Sequence, residues 1–207
     1  MSVLACGSLS SEGQRSCELL LDLYDYKPEL TAAILDTLGD LTLQPESLED
    51  VRHSLLKTLQ ACRPEQLPIV VKFLLYSTPQ SIAYQVVSDI REKINLPGDY
   101  IGTQSTPKGK KASVCKESDA AAYEVLLFDK IKMVTLVNTF LANSWLKAIQ
   151  DVVDVTSLRP FDFIVLVVLY DVLPYRRRPI ESIIRNKIRM GLFSDAVVEK
   201  IFANHQT

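Results

Sequence analysis

The sequence is poor in the residues from which most catalytic and metal centres are built. Its 207 residues include 7 glycines, 4 cysteines and 2 histidines, and the histidines, His53 and His205, lie far apart in the chain. It contains no phosphate-binding glycine-rich loop, no nucleophile elbow and no Cys-x-x-Cys pair. These absences argue against phosphate binding by such a loop, acyl transfer and a zinc site. We therefore predict a non-catalytic chain without a cofactor.

Long hydrophobic runs and an excess of one charge are also missing. The longest apolar run, Phe163 to Tyr170, is far shorter than the roughly 20 residues that a bilayer requires. The net charge is −2, so binding to nucleic acid or to a membrane would need a local patch. The cysteines are scattered and no secretory leader is recognisable, which predicts a reducing compartment, the cytosol or the nucleus.

Apolar residues recur at helical spacing along most of the chain. No stretch alternates with the period of a strand, and no hairpin turn signal occurs, so the predicted class is all-α. The expected helices are Lys27 to Gly39, Pro45 to Ala61, Leu67 to Tyr76, Pro79 to Asn95, Ala120 to Asn138, Asn143 to Asp154, Phe161 to Val172, Pro179 to Met190 and a short one capped by Ser194.

Two segments interrupt this pattern. Residues 1–16 are rich in serine and glycine and are predicted to be disordered or frayed. Residues 97–119 combine glycine, proline and a lysine cluster with almost no apolar periodicity, which predicts a long, disordered basic loop. The remaining ranges, 17–96 and 120–207, are predicted to form two helical-repeat units.

The two helical ranges resemble each other. Aligning Leu67–Tyr76 with Phe161–Tyr170 matches apolar with apolar positions, and the same register places Ile90–Ile94 on Ile184–Ile188. With a small change of register, Ser54 to Gln60 matches Ser144 to Gln150. Such duplication predicts an α-solenoid of antiparallel repeats of the HEAT or armadillo type. Chance similarity between amphipathic helices is the alternative.

The expected helix that contains Trp145, the single tryptophan, has two distinct faces. Trp145 belongs to its apolar face, whereas Lys147, Asp151 and Asp154 belong to its polar face. From periodicity alone, Lys147 is an ordinary surface lysine with a weak partner in Asp151. Its counterpart in the repeat is Lys57, which lies on a similar face.

Four segments in order resemble the central helical region of the Fanconi anaemia group D2 family. They are LPIVVKFLLYS from Leu67, VVSDIREKI from Val86, SWLKAI from Ser144 and IIRNKIRMG from Ile183. The resemblance implies a fragment of a larger protein of DNA interstrand-crosslink repair. It also implies that the lysine of the Trp-Leu-Lys-Ala-Ile match, Lys147, is the acceptor of a single ubiquitin through an isopeptide bond, with Trp145, Asp151 and Asp154 around it.

The same resemblance implies a nuclear location and a set of partners. They are the paralogous Fanconi anaemia group I protein as heterodimer partner, ubiquitin, a conjugating enzyme, the RING ligase of the Fanconi core complex, and DNA on which the modified heterodimer clamps. The physical reading fits this role, because an acceptor amine must reach solvent. A helical-repeat scaffold without modification is the alternative.

Two weaker features remain. A basic end is a candidate for contact with DNA phosphates, although a solvated or intramolecularly paired helix face is the commoner explanation of such a charge run; its members are Arg176, Arg177, Arg178, Arg185, Lys187 and Arg189. Thr103-Gln104 and Thr106-Pro107 have the form of phosphorylation sites for DNA-damage and proline-directed kinases. Dipeptides this short also occur by chance.

Overall fold

The fold is described by a computed structural model for residues 15, 19, 27, 30–40, 45–94, 117–152 and 159–189. Within these ranges every regular element is helical, which confirms the predicted all-α class. The α-helices are α1 (Thr31–Asp40), α2 (Pro45–Thr58), α3 (Leu67–Tyr76), α4 (Ala83–Lys93), α5 (Glu117–Val137), α6 (Thr139–Gln150), α7 (Pro160–Val172) and α8 (Arg177–Arg189). Three short 3-10 helices accompany them at Leu59–Ala61, Gln80–Ile82 and Pro174–Arg176.

Most helix boundaries lie within a few residues of the predicted ones, and the clearest differences are at the basic loop and at the end of α6. Helix α3 has the predicted bounds, and α7 begins one residue before Phe161. Helix α5 begins at Glu117 rather than Ala120, so the last residues of the predicted loop 97–119 are helical. A polar first turn lacks apolar periodicity, so sequence pattern does not reveal it. The other loop residues, 97–116, lie outside the described residues, as do 1–14 and the predicted helix after Ser194.

The helices pack in two rows. Helix α3 lies against α1 and α5, and α5 lies against α7; in the second row, α4 lies between α2 and α6. Consecutive helices such as α3 and α4, or α6 and α7, pack across the rows. Helices α3 and α7 therefore have neighbours on several sides, which explains why they are apolar almost all around. None of the helices in the described ranges has the length and hydrophobicity of a membrane span.

The matching sequence segments occupy corresponding helices. Leu67–Tyr76 is α3 and Phe161–Tyr170 lies within α7, in the same row. The second pair of segments falls on α2 and α6, and the third on the end of α4 and on α8. Each helix of the first set thus has an equivalent in the second.

A buried ion pair joins the end of α4 to the start of α7. Arg91 donates Nε to Asp162 Oδ1 at 2.8 Å and a terminal nitrogen to Oδ2 at 2.7 Å, and the two side chains are 7% and 0% exposed. Asp162 also accepts the backbone N–H of Arg159 at 3.0 Å, and so caps its own helix. The Arg159 guanidinium donates to the carbonyls of Ile94 at 2.9 Å and of Arg91. This network links α4 to α7.

Candidate functional site at Lys147

Helix α6 is held in place by its apolar face. Trp145 is 0% exposed, and its ring centroid lies 5.9 Å from that of Phe161 on α7. The ring of Phe161 in turn lies 5.6 Å from that of Phe128 on α5. Leu146 and Ile149 are buried beside the tryptophan, as their spacing predicted. A helix anchored by this aromatic group presents its opposite face in a fixed direction.

That opposite face carries Lys147, which is exposed. Its Nζ lies 5.0 Å from the centroid of the Tyr84 ring, in the first turn of α4. A lysine ammonium within about 6 Å of an aromatic face is attracted by the negative charge of the π system. The amine of Lys147 is therefore accessible to solvent and also rests on a neighbouring helix.

The hydroxyl of the same tyrosine is tied to the end of α6. It donates a hydrogen bond to Asp151 Oδ2 at 2.8 Å. Asp151 is the C-cap residue of α6, and its backbone N–H donates to the Lys147 carbonyl at 2.9 Å. The hydrogen bond to Asp151, with smaller contributions from burial and from the charge of Asp151, raises the pKa of Tyr84. The hydroxyl thus remains a donor at neutral pH.

The end of α6 differs from the prediction. The helix stops at Gln150, and Asp151 and Val152 form a turn, whereas the sequence predicted a helix continuing to Asp154. The successive valines Val152 and Val153 disfavour helix, which gives a physical reason for this early end. Asp154 itself lies outside the described residues.

The expected pairing of Lys147 with Asp151 is replaced by another arrangement. The ion pairs found in the described ranges do not include these two residues, and the Asp151 carboxylate accepts the Tyr84 hydroxyl instead. Lys147 and Asp151 are thus connected through the tyrosine that lies between them.

Sequence reasoning did not find Tyr84. Tyr84 and Asp151 are 67 positions apart in the chain, and only the packing of α4 on α6 brings them together. No local pattern marks a tyrosine on the outer side of an amphipathic helix as the neighbour of a distant lysine. The sequence repeat points only to Lys57, the counterpart of Lys147, and not to a tyrosine beside the lysine.

Lys57 lies in an environment different from that of Lys147. It is exposed in the last turn of α2, where a basic side chain interacts favourably with the helix dipole. The cation-π pairs of the described chain involve Lys147 and Arg177, so no aromatic ring of that part lies under Lys57. Lys57 is therefore a matched lysine without the tyrosine contact.

The described arginines of the predicted basic end are exposed, and two of them have partners. Arg177 stacks on Tyr170 at 4.8 Å and donates Nε to its carbonyl at 3.2 Å. Arg185 contacts Glu181 at 3.4 Å. Arg176 and Arg178 are exposed, and no ion pair involving them occurs among the residues that the structure covers. Lys187 and Arg189 belong to α8, but their side chains are not among those that the structure describes.

Other predicted residues are not described, and no metal site is found in what is described. Thr103 and Thr106 both lie in the range 95–116, outside the described residues. Across the described ranges, no group of three or more His, Cys, Asp or Glu side chains is arranged to hold a metal ion. Cys62 is free and half-buried, and burial, followed by the charge of Glu65, raises its pKa to about 11.

Comparison with known proteins gives a consistent result. A family model described as "Fanconi anaemia protein FancD2 nuclease" matches residues 10–207. The Fanconi anemia group D2 protein homolog of Rattus norvegicus is 28% identical over 211 residues, covering 98% of this chain and 14% of the relative. The Fanconi anemia group D2 protein of Gallus gallus is 30% identical over 184 residues, covering 85% of this chain and 13% of the relative.

The homolog of Mus musculus is 27% identical over 211 residues, again covering 98% of this chain and 14% of the relative. The chain therefore spans only 13–14% of the length of these curated relatives. The family match extends over residues 10–207, which is almost all of the chain. This chain belongs to the Fanconi anaemia group D2 protein family.

Proposed function

We propose that this chain is a non-catalytic helical-repeat segment that accepts a single ubiquitin on Lys147 during nuclear repair of DNA interstrand crosslinks. The observation that carries the proposal is the exposed amine of Lys147 on a helix anchored by the fully buried Trp145. Membership of the family supplies the biological context. A rigid helix with an exposed lysine suits an acceptor, because the amine has a defined position that a conjugating enzyme can approach.

The reaction requires the neutral amine of Lys147. Its Nζ lone pair attacks the carbonyl carbon of the thioester between the ubiquitin C-terminus and the cysteine of the conjugating enzyme. A carbon–nitrogen bond forms, the carbon–sulfur bond breaks, and the sulfur leaves as thiolate with the bonding electrons. The proton lost by the attacking nitrogen passes to solvent. The product is an isopeptide bond, and this chain contributes the nucleophile and its position.

The architecture we propose for this segment is an α-solenoid with two related units. Its support is the two-row packing, in which α2, α3 and α4 correspond to α6, α7 and α8 in sequence. In a solenoid each unit buries its apolar side on the next, and the exposed surface serves for binding. The Arg91–Asp162 pair lies at the junction of the two units.

The proposed partner surface includes one side of α5. Large apolar side chains are exposed there, at successive separations of one, seven, three and one positions that keep them on one side of the helix, namely Val125, Leu126, Met133, Leu136 and Val137. Such a row usually marks a contact surface. We assign it to the paralogous Fanconi anaemia group I protein, the heterodimer partner that the family membership implies. The ubiquitin-loaded conjugating enzyme and the RING ligase of the Fanconi core complex would approach Lys147 on α6.

Reconstitution tests the acceptor role. The full chain is incubated with activating enzyme, conjugating enzyme, ubiquitin and the RING ligase, and the modified lysine is identified by mass spectrometry. We expect one ubiquitin on Lys147, loss of the product in Lys147→Arg, and wild-type yield in the matched variant Lys57→Arg. Full modification of Lys147→Arg would contradict the assignment to Lys147, whereas a wild-type chain that receives no ubiquitin would favour a helical-repeat scaffold that is not itself modified.

A second candidate function is direct DNA binding by the basic end. It is supported by the exposure of Arg176 and Arg178, which form no ion pair within the described chain. If these arginines neutralise phosphates, affinity must fall steeply with salt concentration and must decrease when both are replaced by alanine. A flat salt dependence would exclude this function. The proposed Thr103 and Thr106 phosphorylation is tested by phosphopeptide mapping after crosslink damage.

A further inference from the structure

Tyr84 is the residue that the proposed function leaves unexplained. Ala83, Val86 and Val87, its neighbours on α4, are buried against the core, and they fix the helix and hence the direction of the tyrosine. The tyrosine itself is 39% exposed. The contacts of its ring and hydroxyl with Lys147 and Asp151 tie it to α6, in addition to a hydrogen bond with Ser88 on its own helix.

Those contacts form a closed arrangement around the amine. The Tyr84 ring lies 5.0 Å from Lys147 Nζ, while its hydroxyl is held 2.8 Å from the Asp151 carboxylate. Because Asp151 caps the same helix that carries Lys147, the hydroxyl bond fixes the ring relative to α6. The ring is thereby held at the lysine amine, and the amine must leave it before it can extend toward a thioester.

We propose that Tyr84 is a positioning residue that restrains the Lys147 amine against α4 and slows its acylation until an incoming protein displaces it. This inference rests on the proposed function only for its biological meaning, since the restraint itself is a property of the folded chain. An exposed cation-π contact shifts an equilibrium by a factor of about two to five. Removing the ring is therefore expected to speed acylation of the amine about two- to five-fold.

Loss of Tyr84 also frees Asp151, which then becomes available to Lys147. A Lys-to-Asp pair in this order along an exposed helix changes an equilibrium by about two-fold or less. This effect of Asp151 on Lys147 is smaller than most of the two- to five-fold acceleration expected from removal of the ring. Acylation of Lys147 should therefore still be faster when Tyr84 is lost. Replacing Asp151 by asparagine in the same chain removes the effect of Asp151 and should bring the rate to the upper part of that range.

The experiment measures amine reactivity directly. Folded full-length chain is treated briefly with the N-hydroxysuccinimide ester of acetic acid, whose acyl group passes to the amine with release of N-hydroxysuccinimide. Peptide mass spectrometry then gives the rates at Lys147 and at Lys57. The variants are Tyr84→Leu, which removes the ring, Tyr84→Phe, which keeps it, and Tyr76→Leu, which removes an exposed tyrosine on α3.

We expect Tyr84→Leu to raise the Lys147 rate two- to five-fold, Tyr84→Phe to restore most of the wild-type restraint, and Tyr76→Leu to change nothing at Lys147. The Lys57 rate should be equal in all variants, and circular dichroism verifies that they are folded. A Lys147 rate in Tyr84→Leu at or below that of wild type overturns the proposal. Equal rates in Tyr84→Phe and Tyr84→Leu overturn the assignment to the ring.

Single-turnover ubiquitin transfer provides a second measurement on the same variants. The order of rates should match that of acetylation. If wild-type Lys147 receives no ubiquitin, the proposed acceptor role fails, yet the acetylation rates still decide the role of Tyr84. The two ideas are therefore tested separately.

Discussion

The buried pair between Arg91 and Asp162 should be a major determinant of stability. In Asp162→Ala the guanidinium of Arg91, 7% exposed, loses a carboxylate that holds it at 2.7 and 2.8 Å. A buried charge without its partner costs about 3–5 kcal/mol of unfolding free energy. The variant also loses the acceptor for the Arg159 backbone N–H at 3.0 Å, which adds about 0.5–1.5 kcal/mol.

An exposed pair in the same chain provides the control. Lys132 and Asp171 join α5 to α7 at 2.9 Å, a distance close to that of the buried pair, but their side chains are 42% and 51% exposed. Solvent screens such a pair, and its removal in Asp171→Ala should cost only about 0–1 kcal/mol. Because the distances are similar, the difference between the two variants, after allowance for the lost Arg159 cap and the second Arg91 hydrogen bond, measures the effect of burial.

Urea unfolding followed by circular dichroism gives the free energies. We expect Asp162→Ala to lose at least about 3 kcal/mol and Asp171→Ala less than about 1 kcal/mol. The double variant Arg91→Met with Asp162→Leu should recover much of the loss, since apolar replacement of a buried pair is often neutral. Equal losses in the two alanine variants would refute the reasoning, because burial would then have no effect.

Three further predictions concern single residues or one surface. Emission from Trp145, the only tryptophan, should shift to longer wavelength on unfolding. Trp145→Ala should lower the free energy of unfolding in urea by roughly 3–5 kcal/mol, and Trp145→Phe, which keeps a ring beside Phe161, should lower it less. Burial raises the pKa of Cys62 to about 11, so the reactive thiolate is scarce at about pH 8. Alkylation of Cys62 by iodoacetamide should therefore be roughly a hundred-fold slower in the folded than in the unfolded chain, as measured by peptide mapping. Met133→Glu with Leu136→Glu on α5 should weaken pull-down of the Fanconi anaemia group I protein, while Tyr175→Glu, on the 97% exposed tyrosine before α8, should not.

Periodicity predicted the features that depend on burial alone. The bounds of α3, the burial of Trp145 and the exposed position of Lys147 all follow from which side of a helix each residue occupies. These properties are local, because a helix repeats every 3.6 residues and its apolar side must find a core. The family resemblance in four short segments was likewise confirmed by the comparisons.

The contacts between helices far apart in sequence could not be predicted in this way. Arg91 and Asp162 are 71 positions apart, and each resembles an ordinary charged residue within its own helix. The end of α6 at Gln150 also escaped prediction, because Asp151 and Val152 fit the spacing of a helix but form a turn. Pairing of this kind depends on which helices meet, and that is a property of the whole chain.

The lysine site depends on one junction, the contacts of α4 with α6 and α7. Helix α4, which supplies Tyr84 near its start and Arg91 near its end, packs against α6 and is tied to α7 through Asp162. Lys147 therefore meets Tyr84 only when the junction is intact, and an isolated peptide covering α6 keeps the lysine and Asp151 but loses the tyrosine. A protein that shifts α4 relative to α6 would release the amine without touching it. The accessibility of Lys147 is for this reason a property of the packed helices, and a motif containing the lysine is insufficient to define it.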